Sequence, residues 1–264
     1  MIIGFIGLGN MAKAMIGGIL KNEIVSPSEI IGSSATESTK TQVSKEFGIR
    51  TKETNAQVAK QADVIILAVK PQYLKVVIAD IMDCVDENKI VISVAAGKTI
   101  EWIKKEFEKD IKLVRAMPNT PALVSEGCTA LCRSENVTDE DLEIAMKIFN
   151  SCGKANLVSE SVMDVVVGVS GSSPAYVFMF IEAMADAAVA GGMPRKQAYE
   201  FAAQSVLGSA KMVLETGKHP GELKDMVCSP AGTTIEAVKI LEEKGFRGAV
   251  IDAVEACINK SKSL

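Results

Sequence analysis

Small polar residues gather near the carboxyl end of the chain, where residues 229–234 read SPAGTT. Ser, Pro, Gly and Thr are poor helix residues, yet the sequence on both sides is rich in helix formers. A turn of this kind, leading into the apolar residues 235–238, can present hydroxyl and backbone N–H groups at a helix N-terminus. The turn could therefore cap the helix and hold a carboxylate at its N-terminus.

A glycine-rich turn lies near the other end of the chain, where GLGNMA at residues 7–12 follows an apolar segment. Gly7 permits a tight turn, Gly9 allows the backbone to approach a pyrophosphate, and Ala12 permits close packing of the following helix. The N-terminus of that helix attracts phosphate charge. The pattern predicts a dinucleotide-binding site rather than a purely structural turn.

The residues after the second predicted strand indicate which dinucleotide is bound. They read GSSAT at 32–36, and the first carboxylate is Glu37. An NAD enzyme usually places Asp or Glu about 20 residues beyond the fingerprint to accept the ribose 2′-hydroxyl. Neutral hydroxyl groups do not repel a 2′-phosphate, so the sequence favours NADPH. Because this segment has no Arg, NADH stays open as a second cofactor.

Two further turns, AVKPQ at 68–72 and MPNTP at 117–121, each follow an apolar segment. Proline-rich turns can simply end strands. However, doubly wound sheets bind ligands at the carboxyl edge of their strands. We expect both turns to lie at that edge and to share one cleft. Lys70 could be a surface lysine that extends over the strand end; contact with the cofactor cleft is the favoured interpretation, and we do not assign it as a catalytic acid.

The elements that position these residues differ between the two halves of the chain. Up to about residue 158, short Val/Ile/Leu runs alternate with amphipathic segments, as in parallel sheets covered on both faces. Later segments are long, rich in Ala, Met and Leu, and apolar enough to pack against a second subunit. We predict an α/β fold, with an N-terminal Rossmann-type doubly wound sheet in residues 1–160 and an all-α dimerisation domain in residues 161–264.

The spacing of apolar residues also predicts the individual elements. The predicted strands are residues 2–6, 30–33, 64–69, 90–94, 112–117 and 129–132. The predicted helices include residues 11–21, 36–47 and 72–84 between the strands, and residues 175–190, 194–216 and 235–260 in the second half.

Composition narrows the class of protein. The net charge is −4 and basic residues are scattered among acidic ones, which argues against nucleic-acid binding. Met1 leads directly into a strand-like segment and no apolar run approaches roughly 20 residues, so we expect neither a secretory signal nor a membrane span. The six cysteines form no C-x-x-C pair and there is one histidine. We expect reduced structural thiols, no metal site and a cytoplasmic protein.

Together these motifs resemble the pyrroline-5-carboxylate reductase family over essentially the whole chain. The resemblance extends to SGSSPAY at 170–176, HPGELKD at 219–225 and SPAGTTI at 229–235. It implies NAD(P)H-dependent reduction of 1-pyrroline-5-carboxylate to L-proline, the last step of proline biosynthesis. It also implies intertwined dimers formed by the helical domain and often higher assemblies of dimers, such as a decamer.

The resemblance also implies roles for single residues. The substrate would be held by Ser229, Thr233, Thr234 and Glu160, with Thr234 as the catalytic residue that addresses the ring nitrogen. The cofactor would be lined by the glycine-rich turn and the turns at the strand ends, namely Ile6, Gly7, Leu8, Gly9, Asn10, Met11, Ser33, Ser34, Asn55, Ala68, Val69, Lys70, Pro71, Ala96, Pro118 and Asn119.

Two residues depart from the family pattern. Ser173 stands where Gly is usual, and Val167 stands where Thr is common. Both precede or begin a long predicted helix. We expect them to affect local backbone geometry and substrate contacts but not the class of reaction.

Other interpretations stay open at this point. Ser229 and Thr234 could be simple helix N-caps, and His219, before a Pro-Gly pair, is expected to be a loop residue. A β-hydroxyacid dehydrogenase would combine similar domains, but it places a catalytic Lys on the interdomain helix, and residues 163–195 contain none. A non-catalytic dinucleotide sensor would need the cofactor motifs without the residues at 229–234.

Overall fold

The computed structural model describes residues 1–263 and divides into two compact units. The first unit combines residues 1–172 with the described residues from Cys257 onward, and the second is Ser173–Ala256. The division falls after Ser172 rather than after residue 160, the boundary expected from the sequence. The reason is local packing, because Met163 is buried against Ala130 and Cys132 of the first unit.

An eight-stranded sheet is the frame of the first unit. Its strands are β1 (Ile3–Ile6), β2 (Ile30–Ser33), β3 (Arg50–Thr51), β4 (Val64–Leu67), β5 (Ile90–Ser93), β6 (Lys112–Met117), β7 (Gly127–Arg133) and β8 (Gly153–Leu157). The spatial order is β3-β2-β1-β4-β5-β6-β7-β8, and only β6 and β7 pair antiparallel within the described sheet. The first six strands have the order of a doubly wound dinucleotide-binding sheet. The predicted fold class is therefore confirmed.

Helices cover the sheet and form the second unit. Those that begin in the first unit are α1 (Asn10–Lys21), α2 (Glu37–Phe47), α3 (Asn55–Gln61), α4 (Pro71–Ile81), α5 (Ile100–Phe107), α6 (Asp139–Asn150) and α7 (Met163–Val166). A π-helical turn follows at Val167–Gly171. Those that begin in the second unit are α8 (Ser173–Ala190), α9 (Arg195–Thr216), α10 (Pro220–Val227), α11 (Thr233–Glu243) and α12 (Phe246–Lys262).

The core lies on both faces of the sheet. Strands β1, β2, β4 and β5 are buried along their whole length. Successive side chains point to opposite faces of a strand, so Phe5 and Ile66 pack on one side, with α1 and α6, while Ile65 and Leu67 pack on the other, with α3, α4 and α5. This two-sided burial accounts for the continuous Val/Ile/Leu runs in the sequence.

The helices α3, α5, α6, α7 and α10 are not among those named from the sequence, and three further elements differ from the sequence-based prediction. The strands β3 and β8 were not predicted, since β3 has only two residues and β8 is mostly exposed, with Lys154 and Asn156 among its residues. The predicted helix 235–260 is two helices, α11 and α12. They are separated at Gly245, whose φ of +72° lies in the left-handed region and ends the first helix.

One helical run, Glu160–Ala190, is long and apolar enough to cross a membrane by length and composition alone. The expectation that no segment reaches that length was therefore wrong. It counted uninterrupted apolar residues, whereas serines and acidic residues are dispersed within this run. Only 17% of its most apolar window is buried within the chain, and Phe178 and Met179 are exposed. These side chains need a partner surface.

The start of β8 gives a test of the sheet. Gly153 has φ of +149°, and a Cβ built there would overlap the backbone of Gly127 on β7. We expect Gly153→Ala to lower stability by about 2 kcal/mol or more, because both the backbone conformation and the strand contact must change.

Gly17→Ala is the matched control for this substitution. Gly17 lies inside α1, and a Cβ there makes only an ordinary 3.6 Å contact with Phe47. The change should raise stability by up to about 1 kcal/mol through helix propensity. Thermal unfolding of both variants checks the comparison, and equal melting temperatures would contradict it.

Candidate active site

The pairing of the central strands brings the predicted turns to one edge of the sheet. Ile6 at the end of β1 is opposite Ser33 of β2 and Leu67 of β4, and Leu67 is opposite Ser93 of β5. Strand β6 continues the parallel register from β5. The turns after β1, β2, β4, β5 and β6 therefore all leave the sheet at its carboxyl edge, which confirms the expected position of residues 68–72 and 117–121. That these two turns share one cleft, and that Lys70 contacts the cofactor, stay predictions.

The glycine-rich turn presents an open helix N-terminus at that edge. Gly7 has φ of +93°, donates its N–H to Ser33 O at 3.0 Å, and would place a Cβ 2.5 Å from Ala68 O. Gly9 is the N-cap of α1, and no side chain of the described residues caps this helix. A Cβ built on Gly9 meets no described atom within 4 Å. The free N–H groups and the open space fit a pyrophosphate.

A cavity of about 800 Å³ lies beside this turn. The lining also includes Tyr73, Val76 and Asp80, which no sequence motif indicated. Five of the predicted cofactor residues line it, namely Ile6, Gly7, Ser34, Asn55 and Val69. Ser33 Oγ donates to Asn55 Oδ1 at 2.8 Å, and Asn55 Nδ2 donates to Asp80 Oδ2 at 3.0 Å. These bonds fix the Asn55 amide at the cavity wall.

The other predicted cofactor residues lie outside the lining of this cavity, at the end of β2 and in the turns and first helical residues at the same edge. They are Leu8, Gly9, Asn10, Met11, Ser33, Ala68, Lys70, Pro71, Ala96, Pro118 and Asn119. The Leu8 side chain is buried beneath Gly32, so only its backbone is available to a ligand.

Asn119 has a structural role in the first unit. Its Nδ2 donates to Ser170 O at 2.9 Å, and its Oδ1 accepts the Cys128 N–H at 2.8 Å. These bonds tie the turn after β6 to β7 and to the π-helical turn that begins at Val167. The two departures from the family pattern lie close by: Val167 is the first residue of the π-helical turn, and Ser173 is the first residue of α8.

Glu160 is held by a partner that sequence reasoning missed. Its Oε1 accepts hydrogen bonds from Arg115 Nη1 at 2.9 Å and from the Ile100 N–H at 2.8 Å. Arg115 lies in β6 and is buried. An arginine inside an apolar strand needs a carboxylate partner, so its position in the sequence was the available signal.

The adjacent thiol is not a nucleophile. Burial and the nearby Glu160 carboxylate raise the pKa of Cys132 to about 12, against a smaller opposing effect of Arg115. The thiolate is the reactive form of cysteine, so Cys132 stays protonated and unreactive. All six cysteines are free thiols, and among residues 1–263 there is no group of His, Cys, Asp or Glu arranged to hold a metal ion.

The turn at residues 229–234 begins α11 in the second unit. Gly232 is the N-cap, and no side chain in the described part of the chain caps this helix. Interpreting Ser229 or Thr234 as an N-cap was therefore wrong. Ala231 has φ of +57°, Gly232 N–H donates to Ser229 O at 3.0 Å, and a Cβ on Gly232 would collide with Ser229 Oγ. The Ser229 hydroxyl thus lies beside the helix N-terminus.

The first N–H groups of α11 are available to an anion. Thr233 and Thr234 occupy the first two helical positions, where backbone N–H groups have no partner inside the helix. Ser229 and Thr233 are exposed and Thr234 is half-buried. His219, by contrast, caps α10, since its Nδ1 accepts the Gly221 N–H at 3.1 Å. The expectation that His219 is a loop residue agrees with this contact.

The sheet order, the glycine-rich turn and the cavity beside it define a Rossmann-type, dinucleotide-dependent oxidoreductase joined to a helical unit. Comparison with known proteins identifies the family. Residues 160–264 match the family model "Pyrroline-5-carboxylate reductase dimerisation", and residues 2–97 match "NADP oxidoreductase coenzyme F420-dependent".

Relatives match along the whole chain. Pyrroline-5-carboxylate reductase of Escherichia coli K12 is 53% identical over 262 residues, which are 99% of this chain and 97% of the relative. The solved structure of the enzyme from Coxiella burnetii has a TM-score of 0.91 and 37% identity, and covers 99% of this chain and 97% of its own. The Plasmodium falciparum enzyme with NADP bound has a TM-score of 0.91 and 33% identity, with the same coverage.

The chain therefore belongs to the pyrroline-5-carboxylate reductase family. The predicted resemblance, the oxidoreductase class and the NADP-type cofactor are confirmed, and the helical segment is a dimerisation segment. Membership of this family also excludes the β-hydroxyacid dehydrogenase alternative.

The Arg115–Glu160 pair can be tested directly. Glu160→Gln keeps an oxygen that can accept the Ile100 N–H but removes the charge, which leaves the buried guanidinium without a counter-ion. We expect a loss of about 1–3 kcal/mol, less than for a fully buried pair because Glu160 is partly exposed.

Asp139→Asn serves as the control for Glu160→Gln. Its carboxylate pairs with Arg133 at 2.7 Å and is 83% exposed, so the loss should stay below about 1 kcal/mol. Thermal unfolding measures both variants. A Glu160→Gln protein no less stable than Asp139→Asn would contradict the role assigned to the pair.

Proposed function

We propose that the chain reduces 1-pyrroline-5-carboxylate to L-proline with NADPH, the last step of proline biosynthesis. The observation that carries the proposal is the start of α11. A glycine N-cap leaves the N–H groups of Thr233 and Thr234 without a side-chain cap in the described chain, and the Ser229 hydroxyl lies beside them. Membership of the reductase family supplies the reaction that such a carboxylate site would serve.

Ser229, Thr233 and Thr234 would anchor the substrate carboxylate. A helix N-terminus favours negative charge, and hydrogen bonds from N–H and O–H groups to a carboxylate are among the stronger ones. From the resemblance to the reductase family we also propose Glu160 as a substrate contact; within the first unit, Arg115 and the Ile100 N–H hold its orientation. Anchoring at the carboxylate fixes the orientation of a small ring, which supplies much of the rate of a transfer reaction.

The backbone N–H of Thr234 would serve the carboxylate, and its hydroxyl would form a hydrogen bond with the ring nitrogen, which is bonded to the carbon that carries the carboxylate. An imine nitrogen is basic enough to carry a proton before reduction, so the site needs no strong acid beside it. When bound, NADPH supplies the hydride that reduces the imine carbon. The chain's own contribution is to hold the charged ring still and exclude competing orientations.

The cofactor residues are proposed along the carboxyl edge of the sheet. The pyrophosphate would lie on the backbone of Gly7–Met11, and the adenosine ribose in the cavity formed with Ser34 and Asn55. The nicotinamide would follow the turns at residues 68–71, at Ala96, and at Pro118 and Asn119. We propose NADH as a weaker second cofactor, because the carboxylates of the same cavity can accept a hydrogen bond from the ribose 2′-hydroxyl group.

A non-catalytic dinucleotide sensor is the alternative from another class. It would use the cofactor edge and have no need of Ser229, Thr233 or Thr234. Mixing the protein with NADPH and 1-pyrroline-5-carboxylate and following loss of nicotinamide absorbance separates the two. Turnover supports the reductase, whereas cofactor binding without turnover with either NADPH or NADH would favour the sensor.

Substitution of Thr234 tests the division between substrate and cofactor sites. Thr234→Ala should lower kcat/KM by about 10- to 100-fold, the effect of losing one hydrogen bond made to a charged group. The dissociation constant of NADPH, measured by fluorescence titration, should stay within about twofold of the starting protein because Thr234 is assigned to the substrate.

Thr234→Ser is the matched control, since it keeps the hydroxyl and removes only a methyl group. It should retain most of the activity. Thr234→Ala with a large loss of NADPH affinity would show that Thr234 lies at the cofactor instead.

The helical segment brings chains together, and we propose a dimer that assembles further into a decamer. Apolar side chains are exposed along α8, α9, α11 and α12, including Phe178, Phe201, Leu214 and Ile251. A second copy would cover them, so the apolar run from Glu160 to Ala190 needs no bilayer. The net charge of −4 supports the absence of nucleic acid, and the six free thiols support a cytoplasmic location.

Light scattering coupled to size-exclusion chromatography measures the assembly. A mass of at least twice 28.1 kDa is expected, because the exposed apolar surface of the second unit is too large for a stable monomer. A monomer at micromolar concentration would contradict the proposal.

A further inference from the structure

A buried lysine lies behind one wall of the cavity at the glycine-rich turn. Lys40 of α2 is 5% exposed, and its Nζ lies 2.6 Å from Glu37 Oε2 and 2.7 Å from Glu53 Oε2. The two carboxylates raise the pKa of Lys40, with Glu37 the larger cause, so the ammonium is charged throughout the working pH range. Both carboxylate side chains are more than 70% exposed, so water reaches them on the side away from the lysine.

The lysine is one contact away from the cavity. Glu53 lines the cavity beside Ser34, Ala35 and Asn55, at the residues that follow β2 and β3. The ammonium therefore lies 2.7 Å behind a carboxylate of the wall. The lining itself carries two carboxylates, Glu53 and Asp80, and no cation among its described residues. The Asp80 carboxylate accepts a hydrogen bond from the Asn55 amide at 3.0 Å. The Glu53 carboxylate pairs with Lys40, and the Glu53 backbone N–H donates to Gln57 Oε1 at 3.1 Å.

The charges at this wall are suited to an exchange of partners. A phosphate on the ribose would meet repulsion from Glu53 unless Glu53 turned away. The Glu53 side chain is 78% exposed, so water can solvate its carboxylate when it turns away from the cavity. Lys40 would then keep Glu37 and gain the phosphate, so no buried ammonium is left unpaired. If the ribose instead carries a 2′-hydroxyl, that hydroxyl can donate a hydrogen bond to the Glu53 carboxylate, as in NAD-binding sites.

We propose that Lys40 recognises the 2′-phosphate of NADPH and that Glu53 competes with that phosphate for the lysine. The pair would then set the preference for NADPH over NADH. The inference deepens the proposed function, since it rests on placing the adenosine ribose in this cavity. It assigns selectivity to a residue outside the glycine-rich turn and outside the Ser33–Ser34 segment that first indicated NADPH.

Two small ligands isolate the phosphate contact without any turnover. Adenosine 2′,5′-bisphosphate carries the 2′-phosphate, and adenosine 5′-monophosphate is the same ligand without it. Isothermal titration of the full chain with both ligands gives a ratio of affinities for each variant. Lys40→Met keeps the aliphatic stem in place and removes the charge, and the carboxylates it leaves are both exposed.

Lys40→Met should weaken the bisphosphate about tenfold or more, which is the loss of one hydrogen bond between charged groups. Binding of the monophosphate should change by less than about twofold. Glu53→Gln should act in the opposite direction, tightening the bisphosphate about threefold or more while leaving the monophosphate unchanged or weaker. Lys45→Met, on the exposed side of the same helix, is the control and should alter neither ligand.

Each other result overturns the inference. Equal weakening of both ligands by Lys40→Met would show that the lysine only supports the fold of the wall. Glu53 is exposed, so Glu53→Gln is not expected to misfold. If this variant leaves the ratio of bisphosphate to monophosphate affinity unchanged, Glu53 does not compete with the phosphate. If the starting protein binds neither ligand, the cofactor site itself is misplaced, a failure distinct from an unaltered ratio in a protein that binds both.

Discussion

The parallel register of strands β2, β1, β4, β5 and β6 is the constraint on which the rest of the structure depends. Ile6 pairs with Ser33 and Leu67, and Leu67 pairs with Ser93, so the chain leaves every one of these strands at the same edge. Parallel strands need helical crossovers, and these cover both faces. The sheet is therefore dry along its length, and its polar groups are concentrated where the turns emerge.

In each of the two units, one helix that we assign to a ligand begins with a glycine N-cap. Gly9 begins α1 and Gly232 begins α11, and neither helix has a side-chain cap among the described residues. An ordinary capping side chain would satisfy an N–H group that a ligand needs. At Gly232 a second reason applies, because a Cβ would collide with Ser229. The two helix starts thus offer N–H groups to anions, which we assign to the cofactor pyrophosphate and the substrate carboxylate.

The features that could be predicted from the sequence are those set by local patterns. Buried strands such as residues 30–33 and 112–117 were predicted with the bounds observed, since continuous apolar runs have few other structures. Strand β8 could not be predicted, because Gly153 and its exposed neighbours gain their conformation from pairing with β7. Gly245 was predicted to lie inside a single helix. Its positive φ depends on the packing of the folded chain, and one glycine in a helical pattern does not indicate it.

The residues of the candidate site also divide into local motifs that could be predicted and distant pairs that could not. The turn at residues 7–12 was predictable because its glycines are required by close backbone contacts within a few residues. The Arg115–Glu160 and Lys40–Glu53 pairs join residues 45 and 13 positions apart, and no spacing rule links such partners. They follow from which side chains the folded sheet and helices bring together, so they appear only once the structure is known.

The central claim is that the chain transfers a hydride from NADPH to the imine carbon of a carboxylate-anchored ring. Deuterium transfer tests it most directly. The protein is incubated with 1-pyrroline-5-carboxylate and NADPH deuterated at either face of the nicotinamide C4, and the product is examined by mass spectrometry. One of the two cofactors should yield proline heavier by one mass unit, with the label on the former imine carbon. Oxidation of the cofactor without labelled proline from either one would contradict the account.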